Sequence, residues 1–455
     1  MHQTVDRWQQ DSFDGDDGFL RMNRRQPHIQ TNSNTNRTQE TQTNEEAVEV
    51  YCIAPLTQII LVILTQSFYL PMFGLLVFVE TADGTGVSPL LKKPEFNPKK
   101  GIDNGYSNVL KLAVLAGGSF NNKKNDVPDQ ICLYERGIAA MSDSKIINTI
   151  DKIHGDLSQQ TVPMRKMLEE VYEEGDKLYI IGFSRGASSA RKFVTELAEH
   201  GIHTASNPNK KVENPPIEFL GCFDTVSMQV QDNLLDILKT KCTREMTKSS
   251  VLGEIDGKLP DIVKKAVHNL SLDDRRFHGL LKNLFPPVLM DSADDRVHEV
   301  WFPGVHGDLG GNFFHHGISD GSGKYMQEWM ESLEDGITFI QPEDILPECL
   351  QIDGHTDIHI TPEDVTLNPN AADTLHPQKK DGGSRPVVTV TNEKIVEGGI
   401  VRIHVSVLHH MEAMEKKNTP YAINPNIRKT NLVVVGSLNK VLEEETKRFK
   451  ELLEL

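Results

Sequence analysis

Four short apolar runs along the chain share one layout. Leu75–Glu80 precedes Asp83-Gly84, Leu178–Phe183 precedes Ser184, Ile217–Phe223 precedes Asp224, and Val300-Trp301-Phe302 precedes Gly304-Val305-His306-Gly307-Asp308. Runs of this length without polar interruption predict strands buried on both faces, and the turns that follow them are where an open α/β sheet carries its chemistry. Between the runs the period changes to that of a helix. Tyr106 to Ala116 aligns Val109, Leu110, Ala113 and Val114, and Thr161 to Glu174 puts Met164, Met167, Leu168 and Val171 on one face. Further on, Ile400 to Val407 predicts another strand, and Leu438 to Leu455 predicts a closing helix with Leu438, Leu442, Phe449 and Leu453 on its apolar face. Strands alternating with one-sided helices predict a three-layer α/β sandwich with a mostly parallel central sheet over 74–455.

Other segments break this pattern. Residues 1–49 are nearly free of aliphatic side chains and rich in Asn, Gln and Thr, so they cannot offset the entropy of ordering and read as a disordered tail without the features of a cleaved signal peptide. From Tyr51 to Val79 there is no charged residue. That stretch is long enough for a membrane span of about 20 residues, but Pro71, five polar side chains and the strand-like Leu75–Val79 favour a buried or surface-associated segment over 50–73 running into a core strand. Membrane-surface contact through 51–79 is thus an expectation, with a cytoplasmic or membrane-associated location. Residues 225–299 read as a helical cap over the sheet, and 340–400, rich in Pro, Asp, Gly and His, as a loop-rich insertion.

The chain of 455 residues is long enough to bury a large core. Its 48 Lys or Arg against 65 Asp or Glu, a formal charge of −17, argue against a nucleic-acid-binding surface. The five cysteines at 52, 132, 222, 242 and 349 are odd in number and dispersed, which fits reduced thiols better than a disulfide framework or a zinc cluster. No phosphate-binding Gly-rich loop is present, so neither cofactor nor metal is expected.

The strongest local signal is Leu178-Tyr179-Ile180-Ile181-Gly182-Phe183-Ser184-Arg185-Gly186-Ala187. A buried strand runs into Gly-x-Ser-x-Gly and then a helix with Ala187, Ala190, Phe193, Val194 and Leu197 on its inner face. Gly182 and Gly186 let strand and helix approach closely while Ser184 sits on a tight turn with its hydroxyl outward, the geometry of a nucleophile. The Arg185 amide, at the positive end of the helix, is placed to hold a developing oxyanion, and the turn Asp83-Gly84-Thr85-Gly86 offers the amides of Gly84 and Thr85 as the second wall.

A serine hydroxyl needs a histidine to take its proton and a third group to orient the imidazole. In sheets of this kind the chain order is Ser, acid, His. His404, on the predicted strand Val401–Val407, satisfies that order among the 17 histidines. His306 is the weaker candidate, two residues from Asp308, and the adjacent pairs His315-His316 and His409-His410 read as solvated residues or weak metal contacts. For the acid, Asp308 within the glycine-rich turn leads and Asp224 is the alternative.

These motifs together resemble a known group, the uncharacterised α/β-hydrolase domain family related to the phospholipase effectors of bacterial type VI secretion. The resemblance is carried by Phe78-Val79-Glu80-Thr81-Ala82-Asp83-Gly84-Thr85-Gly86, Tyr106-Ser107-Asn108-Val109, Tyr134-Glu135-Arg136-Gly137, Gly182-Phe183-Ser184-Arg185-Gly186-Ala187, Phe223-Asp224-Thr225-Val226, His268-Asn269-Leu270-Ser271-Leu272-Asp273-Asp274-Arg275-Arg276, Val300 through Gly311, and His404-Val405-Ser406-Val407, collinear over 75–407. It implies an α/β-hydrolase-like fold and a serine hydrolase acting on lipid or other carboxylic esters. Ser184 takes the nucleophile position, with Asp308 and His404 drawn from family-like segments. The first loop departs from the family pattern, being two residues longer and lacking its Asn. The rival expectation is a non-catalytic membrane or protein-binding module built on a hydrolase sheet.

Overall fold

The computed structural model describes residues 58–61, 74–79, 94–100, 102–118, 127, 130–135, 157–226, 258–275, 287–334, 336–350, 360–376, 384–392, 394–396 and 399–454. The polar tail, most of the apolar run at 51–73 and the turn at 83–86 lie outside them.

Nine strands of the described residues form one sheet. They are β1 (Gln58–Leu61), β2 (Gly74–Val79), β3 (Gln130–Glu135), β4 (Lys177–Phe183), β5 (Ile217–Phe223), β6 (Ala266–Ser271), β7 (Val297–Phe302), β8 (Ile400–His404) and β9 (Asn431–Val435). Their order is β1-β3-β2-β4-β5-β6-β7-β8-β9. All neighbours run parallel except β1, which pairs antiparallel with β3 at the edge. Every parallel strand therefore ends on the same side, and Ser184, Asp224 and the loop carrying His306 all leave from that rim.

The period of two along the strands assigns the two faces. Tyr179, Ile181 and Phe183 of β4 join Phe219, Phe223, Val267, Val300 and Phe302 against α1 (Asn108–Leu115). Their intervening neighbours Leu178 and Ile180 join Leu220, Cys222 and Ala266 on the opposite face, against α2 (Ser158–Glu169) and α3 (Arg185–His200). On the α1 side lie α4 (His306–Gly310) and α5 (Gly317–Ser332), and a third cluster joins β8 and β9 to α6 (Val405–Lys416) and α7 (Glu443–Leu452). This is a three-layer α/β sandwich of α/β-hydrolase-like topology. The residues expected to face the core from α1, and from α3 at 187, 190, 193, 194 and 197, are buried. Buried polar bonds tie α1 to α4 and α5 within its own layer. Lys111 Nζ lies 2.7 Å from Asp320 Oδ1, and Asn108 Nδ2 donates to the carbonyls of Leu309 and Ser319 at 2.9 and 2.7 Å.

Three expectations are corrected. The described part of 225–299 is not a helical cap but supplies β6, a fully buried strand in the middle of the sheet, and the start of β7. The polar pair His268-Asn269 hides this strand in the sequence. Burial tolerates both because His268 Nδ1 meets Glu299 Oε1 at 2.7 Å and Asn269 Nδ2 donates to Ser322 O at 3.0 Å. The strand predicted over 400–407 ends at His404, whose ring caps the start of α6. The closing helix begins only at Glu443; Leu438, with φ 51° and 42% exposed, is off its apolar face. Among the described residues no helix is long and apolar enough to cross a membrane, and within the apolar run the described pieces are β1 and β2.

Candidate active site

Ser184 follows β4 with φ 60° and ψ −121°, a backbone conformation that costs a non-glycine residue roughly 1–3 kcal/mol. Two bonds from the next strand hold it there. Ser184 N–H donates to Phe223 O at 2.9 Å, and Ser184 O accepts from Val226 N at 3.2 Å. Gly182 makes the turn possible, since a Cβ there would collide with the Gly186 carbonyl. α3 starts at Arg185 without a capping bond from the Ser184 side chain, so the hydroxyl is not committed to the helix.

Asp224 ends β5 in a left-handed conformation, φ 46°, and is fully buried. Its oxygens gather five donors. His306 Nδ1 lies 2.6 Å from Oδ2, Arg385 Nη1 2.6 Å from Oδ1 and Nη2 3.1 Å from Oδ2, while Ser271 N and Oγ donate at 3.2 Å each. Burial alone would raise the pKa of this carboxyl; the Arg385 guanidinium and the His306 hydrogen bond override it and hold the group ionised, well below the usual carboxylate range.

His306 opens α4 and reaches back across the end of β6 to Asp224. Its ring packs 4.6 Å from the Phe183 ring, next to the nucleophile turn. With Nδ1–H directed at the carboxylate, Nε2 is the free acceptor, and it is buried without a hydrogen-bond partner among the described residues. A buried imidazole nitrogen without a partner beside a strained serine is the arrangement a proton-accepting base requires. One layer further out, Thr225 N–H donates to His268 Nε2 at 3.0 Å, so His268 carries its proton on Nδ1 towards Glu299 and fixes the loop after Asp224.

The structure does not join Ser184 to the expected base and acid. His404 ends β8, four strand spacings from β4, or about 19 Å at roughly 4.8 Å per strand. There its ring stacks on Phe302 at 4.4 Å, and its Nδ1 accepts from Ser406 Oγ at 2.8 Å and Ser406 N at 3.2 Å. Burial, with a smaller push from His409, lowers its pKa to about 3, so it stays neutral. Asp308 caps its own helix by accepting from Val305 N at 3.0 Å and binds His376 Nδ1; His376 Nε2 lies 2.9 Å from Asp103 Oδ2. Asp308 thus belongs to a histidine that 377–383 separates from Arg385, and not to His404. Arg185 stands at the first position of α3, where its amide was expected, and Gly84 and Thr85 fall outside the described residues. His315 meets the Phe96 ring edge-on at 4.7 Å, His316 Nδ1 meets Asp320 at 2.6 Å and His410 Nδ1 meets Ala371 O at 2.8 Å.

Among the described residues, Asp224, Asp274 and His306 also form a group whose donor atoms lie close enough together, within 4.8 Å, to hold a cation. Arg385 already sits among them, with Nη2 3.3 Å from Asp274 Oδ2 in addition to its bonds to Asp224. A guanidinium in that position supplies the positive charge and occupies the lone pairs a metal would need, so the donor set fits an arginine-neutralised carboxylate better than a metal centre.

The family described as "T6SS, Phospholipase effector Tle1-like, catalytic domain" matches residues 78–213 and 203–332, together more than half of the chain. No curated protein matches it. Among solved structures, the Tle1 effector bound to the VgrG spike of the type VI secretion system is 19% identical over 53% of this chain and 51% of its own, with a TM-score of 0.33. An uncharacterised protein from Pseudomonas aeruginosa is 15% identical over 66% and 49%, with a TM-score of 0.34. The NocB thioesterase domain, in covalent complex with a fluorophosphonate nocardicin G analogue, is 15% identical over 56% and 93%, with a TM-score of 0.25. The chain spans about half the length of the first two.

Proposed function

Since the chain belongs to the family of Tle1-like catalytic domains of type VI secretion phospholipase effectors, we propose that it is a serine hydrolase of carboxylic esters, with lipids or phospholipids as its substrate class. The reading assigns Ser184 as nucleophile, His306 as base and Asp224 as the orienting acid. What carries it is one observation: His306 binds Asp224 through Nδ1 while Nε2, beside the Ser184 turn, is buried without a hydrogen-bond partner among the described residues.

The chemistry follows from those roles. His306 Nε2 accepts the Ser184 hydroxyl proton as Oγ bonds to the ester carbonyl carbon. The charge on the carbonyl oxygen is met by the Arg185 amide at the N-terminus of α3. The imidazolium then protonates the leaving alcohol, giving an acyl-serine, and returns as base for the water that releases the acid. Asp224 stabilises the imidazolium without accepting its proton, which its low pKa favours.

The test is hydrolysis of short and long acyl esters and phospholipids by the wild type and by Ser184→Ala, with folding checked by circular dichroism. Turnover lost in the folded variant supports the reading. An inactive wild type across the whole panel, or an active Ser184→Ala, overturns it.

A further inference from the structure

One residue before His306 in the chain, Val305 lines a cavity of about 330 Å³, large enough for a small substituent or a short chain. Ser184, Asp224 and His306 do not line it, but the chain links it to the proposed centre. Gly304 and Val305 in its wall immediately precede His306, and Asp273 and Arg275 flank Asp274 in sequence. Its lining also includes the apolar side chains of Leu375, Met414, Pro420 and Ala422.

Within this cavity one charge is left over. Asp273 is saturated, accepting from Gly304 N at 2.8 Å, from Asn424 N at 3.1 Å and from the Tyr421 hydroxyl. Asp308, behind the wall, is held by Val305 N and by His376, which Asp103 also binds. Asp274 faces Arg385. Arg275, by contrast, makes no hydrogen bond or ion pair among the described residues, although its Nε is shielded from solvent. A shielded guanidinium donor without an acceptor is costly, and the forked geometry of the group matches a planar or tetrahedral oxyanion. In a chain of formal charge −17, where carboxylates outnumber basic residues, a guanidinium at a cavity with no carboxylate on it among the described residues is a candidate for an outside anion.

Resting on the hydrolase reading above, we infer that Arg275 is a specificity residue: it binds an anionic group, carboxylate or phosphate, on the ester substrate and so directs the enzyme to negatively charged esters. The apolar wall takes the hydrocarbon next to that group. No bond of the substrate other than the ester is altered, so the hydrolysis described for Ser184 is unchanged.

The experiment compares matched substrates that differ only in charge: a neutral diacylglycerol, the corresponding phosphatidic acid, and a dicarboxylic acid monoester beside its neutral diester. The ratio of kcat/KM, anionic over neutral, is measured for the wild type, Arg275→Gln and Arg275→Lys. The expected result is a ratio that falls roughly 10- to 100-fold in Arg275→Gln, the range of a hydrogen bond to a charged group, and is partly restored in Arg275→Lys. A fall for phosphatidic acid only, or for the dicarboxylate only, identifies which anion the site takes. An unchanged ratio in Arg275→Gln overturns the inference while leaving the nucleophile assignment intact. If Ser184→Ala retains activity or the wild type is inactive, the hydrolase reading fails instead. The anion site is then read from calorimetric titration of dibutyryl phosphatidic acid and monomethyl glutarate, where equal binding by wild type and Arg275→Gln overturns it and a 10-fold or greater loss with either supports it.

Discussion

Arg385 meets Asp224 through both terminal nitrogens, Nη1 at 2.6 Å from Oδ1 and Nη2 at 3.1 Å from Oδ2. The same Nη1 donates to Ser271 Oγ at 2.7 Å and Ser271 O at 3.0 Å. Its own backbone is fastened, since Arg385 O accepts from Asn424 Nδ2 at 2.8 Å and Asn426 Nδ2 at 3.0 Å. The guanidinium lets a fully buried carboxylate remain charged, and a charged Asp224 is what keeps the His306 proton on Nδ1. Two residues 161 positions apart in sequence are coupled in this way, one at the end of a core strand and the other in a loop.

Replacing Arg385 by Met leaves that carboxylate buried and unmatched, and the expected loss is about 3–5 kcal/mol of unfolding free energy at pH 7. Urea denaturation measures it. The folded pKa of Asp224 lies below its unfolded value of about 3.9, so the stability from its ionised form is present above that pH and lost as the pH falls below it. The gap between wild type and Arg385→Met should therefore narrow below about pH 4. A gap that stays constant down to pH 3 would show that Arg385 stabilises by packing and not by charge.

The two histidines separate the alternative sites cleanly. His306→Ala is expected to lower kcat/KM by roughly 10³-fold or more, as removal of a triad base does, and Asp224→Asn by roughly 10²- to 10⁴-fold. His404→Ala, about four strand spacings from Ser184, should change ester turnover less than roughly 5-fold, within what a distant packing defect produces. Steady-state hydrolysis of one ester by the three variants decides the matter, and a His404→Ala enzyme as impaired as His306→Ala would restore His404 as base.

The fold was legible where one residue type repeats. The apolar runs at 178–183 and 217–223 became β4 and β5, and the i, i+3, i+4 pattern from Ala187 to Leu197 became the inner face of α3. Ser184 was legible for the same reason, as glycine–serine–glycine spacing is local. β6 was not, because His268 and Asn269 are polar and only their partners Glu299 and Ser322, far along the chain, make them buried residues. His404 and His306 are not separable in the sequence, because chain order favours one as much as the other and a separation across strands does not appear in a linear string. Arg385 carries no signal at all: it is one arginine in a loop-rich stretch, and only the folded chain brings it to Asp224. Asp274 stood in a recognised motif, but nothing in the spacing connects it to Asp224.

His376 predicts a pH dependence of its own. Burial lowers the pKa of this ring, but Asp308 and Asp103 on its two nitrogens raise it above the ordinary value. A folded pKa above the unfolded value of about 6.5 gives stability that is complete below that pH and lost as the pH rises through the folded value. Chemical denaturation should therefore find a contribution at pH 6 that has declined by pH 9, and His376→Asn should remove this pH-dependent component. A variant whose stability changes between pH 6 and pH 9 as much as that of the wild type would show that the two carboxylates do not act on the ring.

Gly310 links the α4 turn to the nucleophile strand. A Cβ at this position would run into the Phe183 ring, which packs tilted against the His306 ring at 4.6 Å. Gly310→Ala should thus displace either the ring or α4, costing about 1–3 kcal/mol as overpacking does, and shift the imidazole relative to Ser184. The expected sign is a fall in kcat larger than any rise in KM, because small displacements of a base act on the chemical step. Phe183→Leu in the same background removes the colliding ring edge, and a double-mutant cycle should return part of the lost stability, with a coupling of about 0.5–3 kcal/mol between the two positions. Additive losses in that cycle would mean that the alanine disturbs α4 by some route other than Phe183.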